Sequence, residues 1–217
     1  MLYMMSDAMT ALYTSSFYES ILNFDAGILL WLQDVLRNDV LNVIMKIITH
    51  SVDGGMVWIA LTLVLCIFPK TRKMGICAAL SLIFSLIVCN GILKNVFQRI
   101  RPYEVIQGLS LLAGVDPAGD PSFPSGHTSS SFATSMAIFL ASEKKQRIIT
   151  VWAVVYAALV GFSRLYVGIH YPTDVIVGAL VAIGLAFLAA FIGGKLYGLL
   201  PEKFKRGWAK KSDTEQK

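Results

Sequence analysis

From about Val175 to Leu199 the chain runs apolar with Lys195 as its single charged residue, and this stretch restricts the fold more than any other feature. A run of this kind matches the ~20 residues that carry a helix across a hydrocarbon core. Within lipid every backbone amide must find a partner in the chain, which leaves helices or closed barrels. Four further apolar stretches precede it, at about Gly54 to Phe68, Met74 to Val96, Thr128 to Ala141 and Ile148 to Phe162. Some are shorter than a full crossing, and their ends extend through interfacial residues. The chain therefore reads as all-α, a polytopic transmembrane helix bundle of five to six spans. Composition agrees: 15% of residues are charged and the mean hydropathy is +0.63, against roughly 25% charged in a soluble domain.

Residues 18–36 and 39–49 differ from the rest. Apolar positions recur there at helical spacing (Ile21, Phe24, Ile28, Leu32; Val40, Ile44, Ile47), interleaved with Asp34, Arg37, Asp39 and Lys46. That pattern predicts amphipathic helices lying on the outer interface or packed against the bundle, with a sixth crossing as the alternative. No linker-like stretch interrupts the sequence. One domain is expected over 1–217: an amphipathic region at 1–50, a helix bundle at 51–199 and a basic tail at 200–217. Met1 to Ser6 lacks the basic start of a cleavable signal. Cys66, Cys77 and Cys89 sit inside apolar runs, as small packing residues rather than a disulfide or metal set.

The net charge of +5 does not point to nucleic acid, because the basic residues form no single broad surface. Lys70, Arg72 and Lys73 join the first two apolar stretches, and Lys144, Lys145 and Arg147 join the third and fourth. Lys203, Lys205, Arg206, Lys210 and Lys211 follow the fifth. With five alternating spans these groups share one side, which the positive-inside rule assigns to the cytoplasm. The joins from Asn95 to Pro124 and from Ser163 to Asp174 then face outward.

The chain's chemistry lies in those outward joins and directly beside them. Lys94 and Arg101 are seven apart, so a continuing helix would set them on roughly one face until Pro102 stops it. An ammonium and a guanidinium suit a dianionic phosphoryl group, as a point charge and a bidentate fork; snorkelling at the interface is the plainer account of each. Arg99 has no evident partner and is read as snorkelling. Pro124-Ser125-Gly126-His127 opens a helix whose unpaired amides suit an anion, although Ser125 could equally serve as its cap. His170 and Asp174 flank Pro172, which favours a helix's first turn. A carboxylate bound to one imidazole nitrogen leaves the other free to attack; a buried histidine satisfied for structure alone fits the pair as well. Two histidines and an aspartate could hold zinc, but three neighbouring cations would repel it.

Taken jointly, Lys94 with six residues before Arg101-Pro102, Pro124-Ser125-Gly126-His127, and Ser163-Arg164 followed by His170 and Asp174 resemble the three-part signature of the type-2 phosphatidate phosphatase superfamily. The resemblance covers about residues 50–195. It implies a metal-independent phosphatase without cofactors. His170 would be the nucleophile that forms a phosphohistidine, Asp174 its orienting carboxylate and His127 the general acid and then base. Lys94, Arg101, Ser125, Gly126 and Arg164 would bind phosphate, supported by Pro102 and Ser163. The apolar spans favour a lipid phosphate in the bilayer over a soluble ester. Undecaprenyl diphosphate is the first expectation, phosphatidate or phosphatidylglycerol phosphate the alternative. The cell membrane is the expected location, with the site on the extracytoplasmic side. The outer-loop residues Val105, Ile106, Leu109, Leu111 and Leu112 are expected to rest on the bilayer near the entrance. A haloperoxidase of the same superfamily is disfavoured by the hydropathy. A non-catalytic lipid-binding or transport protein gives no reason for both histidines. Self-association into a homo-oligomer stays open.

Overall fold

Polar caps start the N-terminal helices. The Ser15 hydroxyl accepts from the Tyr18 amide at the head of α1 (Ser16–Trp31), and Asn38 accepts from Leu41 at the head of α2 (Asp39–Ser51); each satisfies a first-turn donor that has no partner in its own helix. The computed structural model describes residues 15–206, and every regular element among them is helical. Met1 to Ser6, Lys210 and Lys211 lie outside the described residues. Between α2 and α3 (Met56–Ile67), Gly54 (φ +59°) and Gly55 (φ +72°) take left-handed conformations that a side chain would strain. The chain bends there by 49°, leaving Asp53 at the corner.

α4 (Arg72–Ser85) continues as a π-helical stretch, Leu86–Leu93, and closes with the turn Lys94–Phe97. Gln98 (φ +44°) ends it in a left-handed conformation. The short α5 (Pro102–Val105) follows, then α6 (Gly126–Ala141), α7 (Arg147–Tyr166), α8 (Pro172–Leu199) and α9 (Glu202–Arg206). Two sequence expectations change here. No continuous helix joins Lys94 to Arg101, because the chain breaks at Gln98. Pro102 opens a helix rather than closing one, at the N1 position where its missing N–H costs nothing.

α6 occupies the centre of the bundle, packed against α4, α7 and α8. Small residues allow this close approach, as is usual in membrane bundles: Cys77, Ala137 and Ala186 form one buried cluster, and a Cβ at Gly193 would stand 2.7 Å from the Cys77 sulfur. All three cysteines are free thiols. The serines of this interior are hydrogen-bonded, with Ser81 Oγ donating to the Ala133 carbonyl (2.8 Å) and Trp58 Nε1 donating to Ser131 Oγ (2.7 Å). Among the described residues, three helical stretches are long and apolar enough to cross a membrane: Arg72–Val105, Lys144–Tyr166 and Pro172–Leu199. Counting the bent pair Asp39–Ser51 with Asp53–Ile67 as one broken span makes four. α3 has 12 residues and α6 has 16, so the expected five to six full crossings are not all present as long helices. α6 is shielded by its neighbours and does not need a full lipid-facing length.

The N-terminal helices pack onto the end of the bundle where the motifs lie. Leu29 and Leu32 cluster with Leu109 and Tyr171, and Met45 clusters with Leu112, Val115, Tyr166 and Val167. Leu109 and Leu112 are therefore buried under α1 and α2, contrary to the expectation that they rest on the bilayer. Arg37 pins the same loop, donating from Nη2 to the Ser110 carbonyl (2.8 Å) and from Nε to the Tyr166 carbonyl (3.2 Å). At the opposite end, Arg72 donates to the Phe204 carbonyl, which joins the Lys70–Lys73 connection to the basic tail.

Candidate active site

The helix ends bring the sequence-predicted residues together. Lys94 comes from the last turn of α4, Arg101 from the N-cap of α5, and Gly126 and His127 from the first turn of α6. Arg164 comes from the last turn of α7 and His170 from the residues before α8. All six line one cavity of about 580 Å³. Its other wall runs between α3 and the π-helical continuation of α4, past Ile59, Leu63, Leu82, Ile83 and Leu86. π-helical turns often mark functional sites, and this one presents Asn90 to Gly126. A Cβ at Gly126 would lie 3.0 Å from Asn90 Oδ1, so glycine is what keeps that wall open.

His170 is 1% exposed and held from both ring nitrogens. Nδ1 lies 3.3 Å from Asp174 Oδ2, and Nε2 lies 2.9 Å from Arg101 Nη1, which also approaches Nδ1 at 3.5 Å. A guanidinium can only donate. The shorter contact therefore makes Nε2 the acceptor and places the proton on Nδ1, where it can be donated to Asp174. This tautomer leaves a lone pair on Nε2. Burial, then Arg101, Arg164 and Lys94, hold the imidazole well below its ordinary pKa, so it is neutral.

Asp174 is fixed more heavily than a two-residue pair requires. Its carboxylate accepts from Arg99 Nη1 (2.7 Å), from the Tyr171 amide (3.1 Å) and from Ser122 Oγ. Arg99, read from sequence as snorkelling, is 6% exposed. It bridges Asp174 to Asp25 of α1 (Nη2 to Oδ2, 2.8 Å) and lies over the Tyr171 ring at 3.7 Å. The snorkelling reading fails because two buried carboxylates neutralise this guanidinium inside the protein. Asp25 also accepts from the Thr173 amide at 3.1 Å, which ties α1 to the head of α8.

His127 Nε2 lies 3.0 Å from Asp53 Oδ1. A carboxylate only accepts, so Nε2 carries the proton and Nδ1 is the nitrogen left for chemistry. The second oxygen of Asp53 meets His50 Nδ1 at 2.9 Å. Arg164 is 5% exposed; its Nη1 donates to Thr49 Oγ1, and its buried Nε has no hydrogen-bond partner among the described residues. Lys94 and Arg101 both reach Asp120, through an Nζ contact to Oδ2 and a 2.7 Å bond from Nη2 to Oδ1. Against the cost of burial, these two cations hold the Asp120 carboxyl below its usual pKa.

Four expected residues stand apart from the cavity lining: Asp174, which reaches it only through His170, and three more. Ser125 is buried as the cap of α6: its oxygen accepts from Thr128 Oγ1 at 2.9 Å and from the Thr128 amide at 3.4 Å. Ser163 donates to the Val160 carbonyl within its own helix (2.7 Å), and Pro102 is buried at the start of α5. Asp25, Thr49, Asp53, Asn90 and Asp120 were not read from the sequence as parts of the site. Asp53 carried the one usable signal, an acidic residue beside two glycines at the head of an apolar run.

Comparisons with known proteins identify the family. A family model described as "PAP2 superfamily" matches residues 74–196. An undecaprenyl-diphosphatase of Sulfolobus acidocaldarius is 36% identical over 136 residues, which is 63% of this chain and 63% of that protein; the match thus spans less than two thirds of that relative's length. A lipid A 4'-phosphatase of Bacteroides thetaiotaomicron is 31% identical over 153 residues, covering 66% of this chain and 67% of that protein. The crystal structure of Aquifex aeolicus LpxE superposes with a TM-score of 0.65 at 27% identity, covering 75% of this chain and 92% of that one.

Proposed function

The chain belongs to the PAP2 superfamily, and from that premise we propose that it is a metal-independent lipid phosphatase working through a phosphohistidine. The observation that carries the reading is His170: a buried neutral imidazole with Asp174 on Nδ1 and its Nε2 lone pair at the cationic end of a cavity that continues between apolar walls. The headgroup would sit among Lys94, Arg101 and Arg164, and the tail would lie along Ile59, Leu63, Ile83 and Leu86.

In the first step Arg101 turns from Nε2 to a phosphoryl oxygen and Nε2 attacks phosphorus. A P–N bond forms while the P–O bond to the leaving group breaks. His127, protonated, gives its proton to the leaving oxygen, and Asp53 stabilises the imidazolium, as carboxylate–histidine pairs do. In the second step His127 takes a proton from water. The water oxygen attacks phosphorus, the P–N bond breaks, and phosphate leaves with His170 restored. Lys94, Arg101 and Arg164, with Gly126 leaving room and Ser125 setting the helix start, would meet the charge on the equatorial oxygens. The ammonium and guanidinium groups supply the positive charge that a divalent ion would otherwise bring.

Undecaprenyl diphosphate is the first substrate, supported by the Sulfolobus relative's name; a lipid phosphomonoester such as phosphatidate or phosphatidylglycerol phosphate is the second. The lipid A 4'-phosphatase relative supports a monoester reading. The basic connections support an extracytoplasmic site. Cysteine at Gly119, which has open space around it, should react with an impermeant thiol reagent in intact cells, and cysteine at Gln146 should not. The direct test of function is phosphate release by the purified protein from a panel of lipid mono- and diphosphates in excess chelator. Rapid release from the undecaprenyl diphosphate supports the first reading, faster release from a monoester supports the second, and no release from any lipid overturns both.

A further inference from the structure

A carboxylate already occupies the place where the proposed reaction needs a phosphoryl group. Asp120 sets Oδ2 on the Lys94 ammonium and Oδ1 on Arg101 Nη2, and its main-chain carbonyl accepts from Arg101 Nε at 3.0 Å. Two carboxylate oxygens on an ammonium and one arm of a guanidinium fork reproduce the contacts of two phosphoryl oxygens. The cations are fixed, with side chains 8% and 3% exposed, whereas the Asp120 side chain is 55% exposed. It can therefore rotate into solvent while the Asp120 and Pro121 carbonyls keep Arg101 in place.

We propose that Asp120 is a specificity-determining residue, a built-in competitor that admits terminal phosphates and rejects the phosphodiester headgroups of surrounding lipids. The inference rests on the phosphatase reading above, which makes Lys94 and Arg101 the phosphoryl seat. An incoming anion must replace the charge that Asp120 withdraws, because unpaired buried cations are costly. A phosphodiester carries one negative charge, so it exchanges one for one and gains little. A terminal phosphate approaches two charges near neutral pH. Its additional charge meets Arg164, whose buried Nε lacks a partner among the described residues. In a bilayer, diester headgroups are the abundant competitors for a three-cation pocket that opens beside apolar walls. The depressed Asp120 pKa is consistent with a carboxylate that stays ionised in this role.

The opposite account makes Asp120 a prop that only orients the two cations, and the two accounts predict opposite signs. The full-length protein in mixed micelles would be assayed on a lipid terminal phosphate with dioleoylphosphatidylmethanol, a monoanionic phosphodiester, as inhibitor. Wild type, Asp120→Asn and Asp120→Ala would be compared, with thermal unfolding confirming that each is folded. The inhibition constant should fall about tenfold in both variants, the scale of one charge-assisted hydrogen bond, without a rise in KM. An unchanged inhibition constant, or a parallel rise in it and in KM, overturns the inference while leaving the phosphatase reading intact. A wild type that releases no phosphate from any lipid overturns the reading and the inference with it.

Discussion

Residues 74–196 and the segment before them, 16–55, build the site in different ways. The first region is a bundle of apolar helices whose charged residues sit at helix ends, and it carries Lys94, Arg101, His127, Arg164, His170 and Asp174. The second is amphipathic and lies outside the matched family region, yet it partners three of those six. Asp53 holds His127, Thr49 holds Arg164, and Asp25 holds Asp174 through Arg99. The proposed reacting groups thus belong to the bundle, and much of their orientation comes from α1, α2 and the Asp53 corner. Substitutions in the two regions should leave different signatures, one on the chemical step and the other on geometry and stability.

The largest difference should come from the bundle. His127→Ala should slow phosphoenzyme formation on an alkyl lipid phosphate by about 10²–10⁴-fold, the range of general acid catalysis. Rapid-quench timing should find a smaller defect on a lipid diphosphate or an aryl phosphate, whose leaving groups need less protonation. Equal defects on all substrates would remove His127 from the acid role.

In the N-terminal segment, Asp25→Ala would strand Arg99 between Tyr171 and Asp174. Removing one member of a buried ion pair costs about 3–5 kcal/mol, and unfolding in detergent should register a loss of that size. A loss under about 1 kcal/mol would mean that α1 is dispensable to the site. Asp53→Asn is the finer probe. It should lower kcat about tenfold with little change in KM, and should carry the leaving-group dependence of His127→Ala. A uniform loss across substrates would mark Asp53 as structural only.

Two conditions should produce almost no change. Nitrogen-15 spectra of the histidines should show His170 neutral at pH 5.5, because burial and the nearby cations lower its pKa and keep the proton off below the ordinary histidine range. Protonation of His170 at pH 6.5 would contradict the site's electrostatics. Phosphate release should persist in excess chelator, and a complete, magnesium-reversible loss would contradict the metal-free mechanism.

The contrast between the regions also explains what could be read from sequence. The bundle's motif residues were legible because costly charged groups stood at the ends of apolar runs, and alternation alone put them on one face. The partners were not. Asp25 and Asp53 each contact residues 74 positions away, and a carboxylate in an amphipathic stretch looks like part of a solvated face. Local geometry was hidden too: the break at Gln98 depends on a left-handed residue that is not glycine, and the π-helical register of Leu86–Leu93 leaves the hydrophobic pattern almost unaltered. Span count was blurred for a related reason, since α6 is covered by protein and does not need the length that lipid would demand.

The central claim is that His170 attacks phosphorus. Protein mixed with a lipid diphosphate labelled at its terminal phosphorus should be quenched within one turnover, digested and mapped. The label should reside on the peptide containing His170 as acid-labile phosphohistidine, vanish in His170→Ala, and persist longer in His127→Ala because the second step is slowed. Labelled phosphohistidine in the His170→Ala protein, or label mapped to His127 in the wild type, would contradict it.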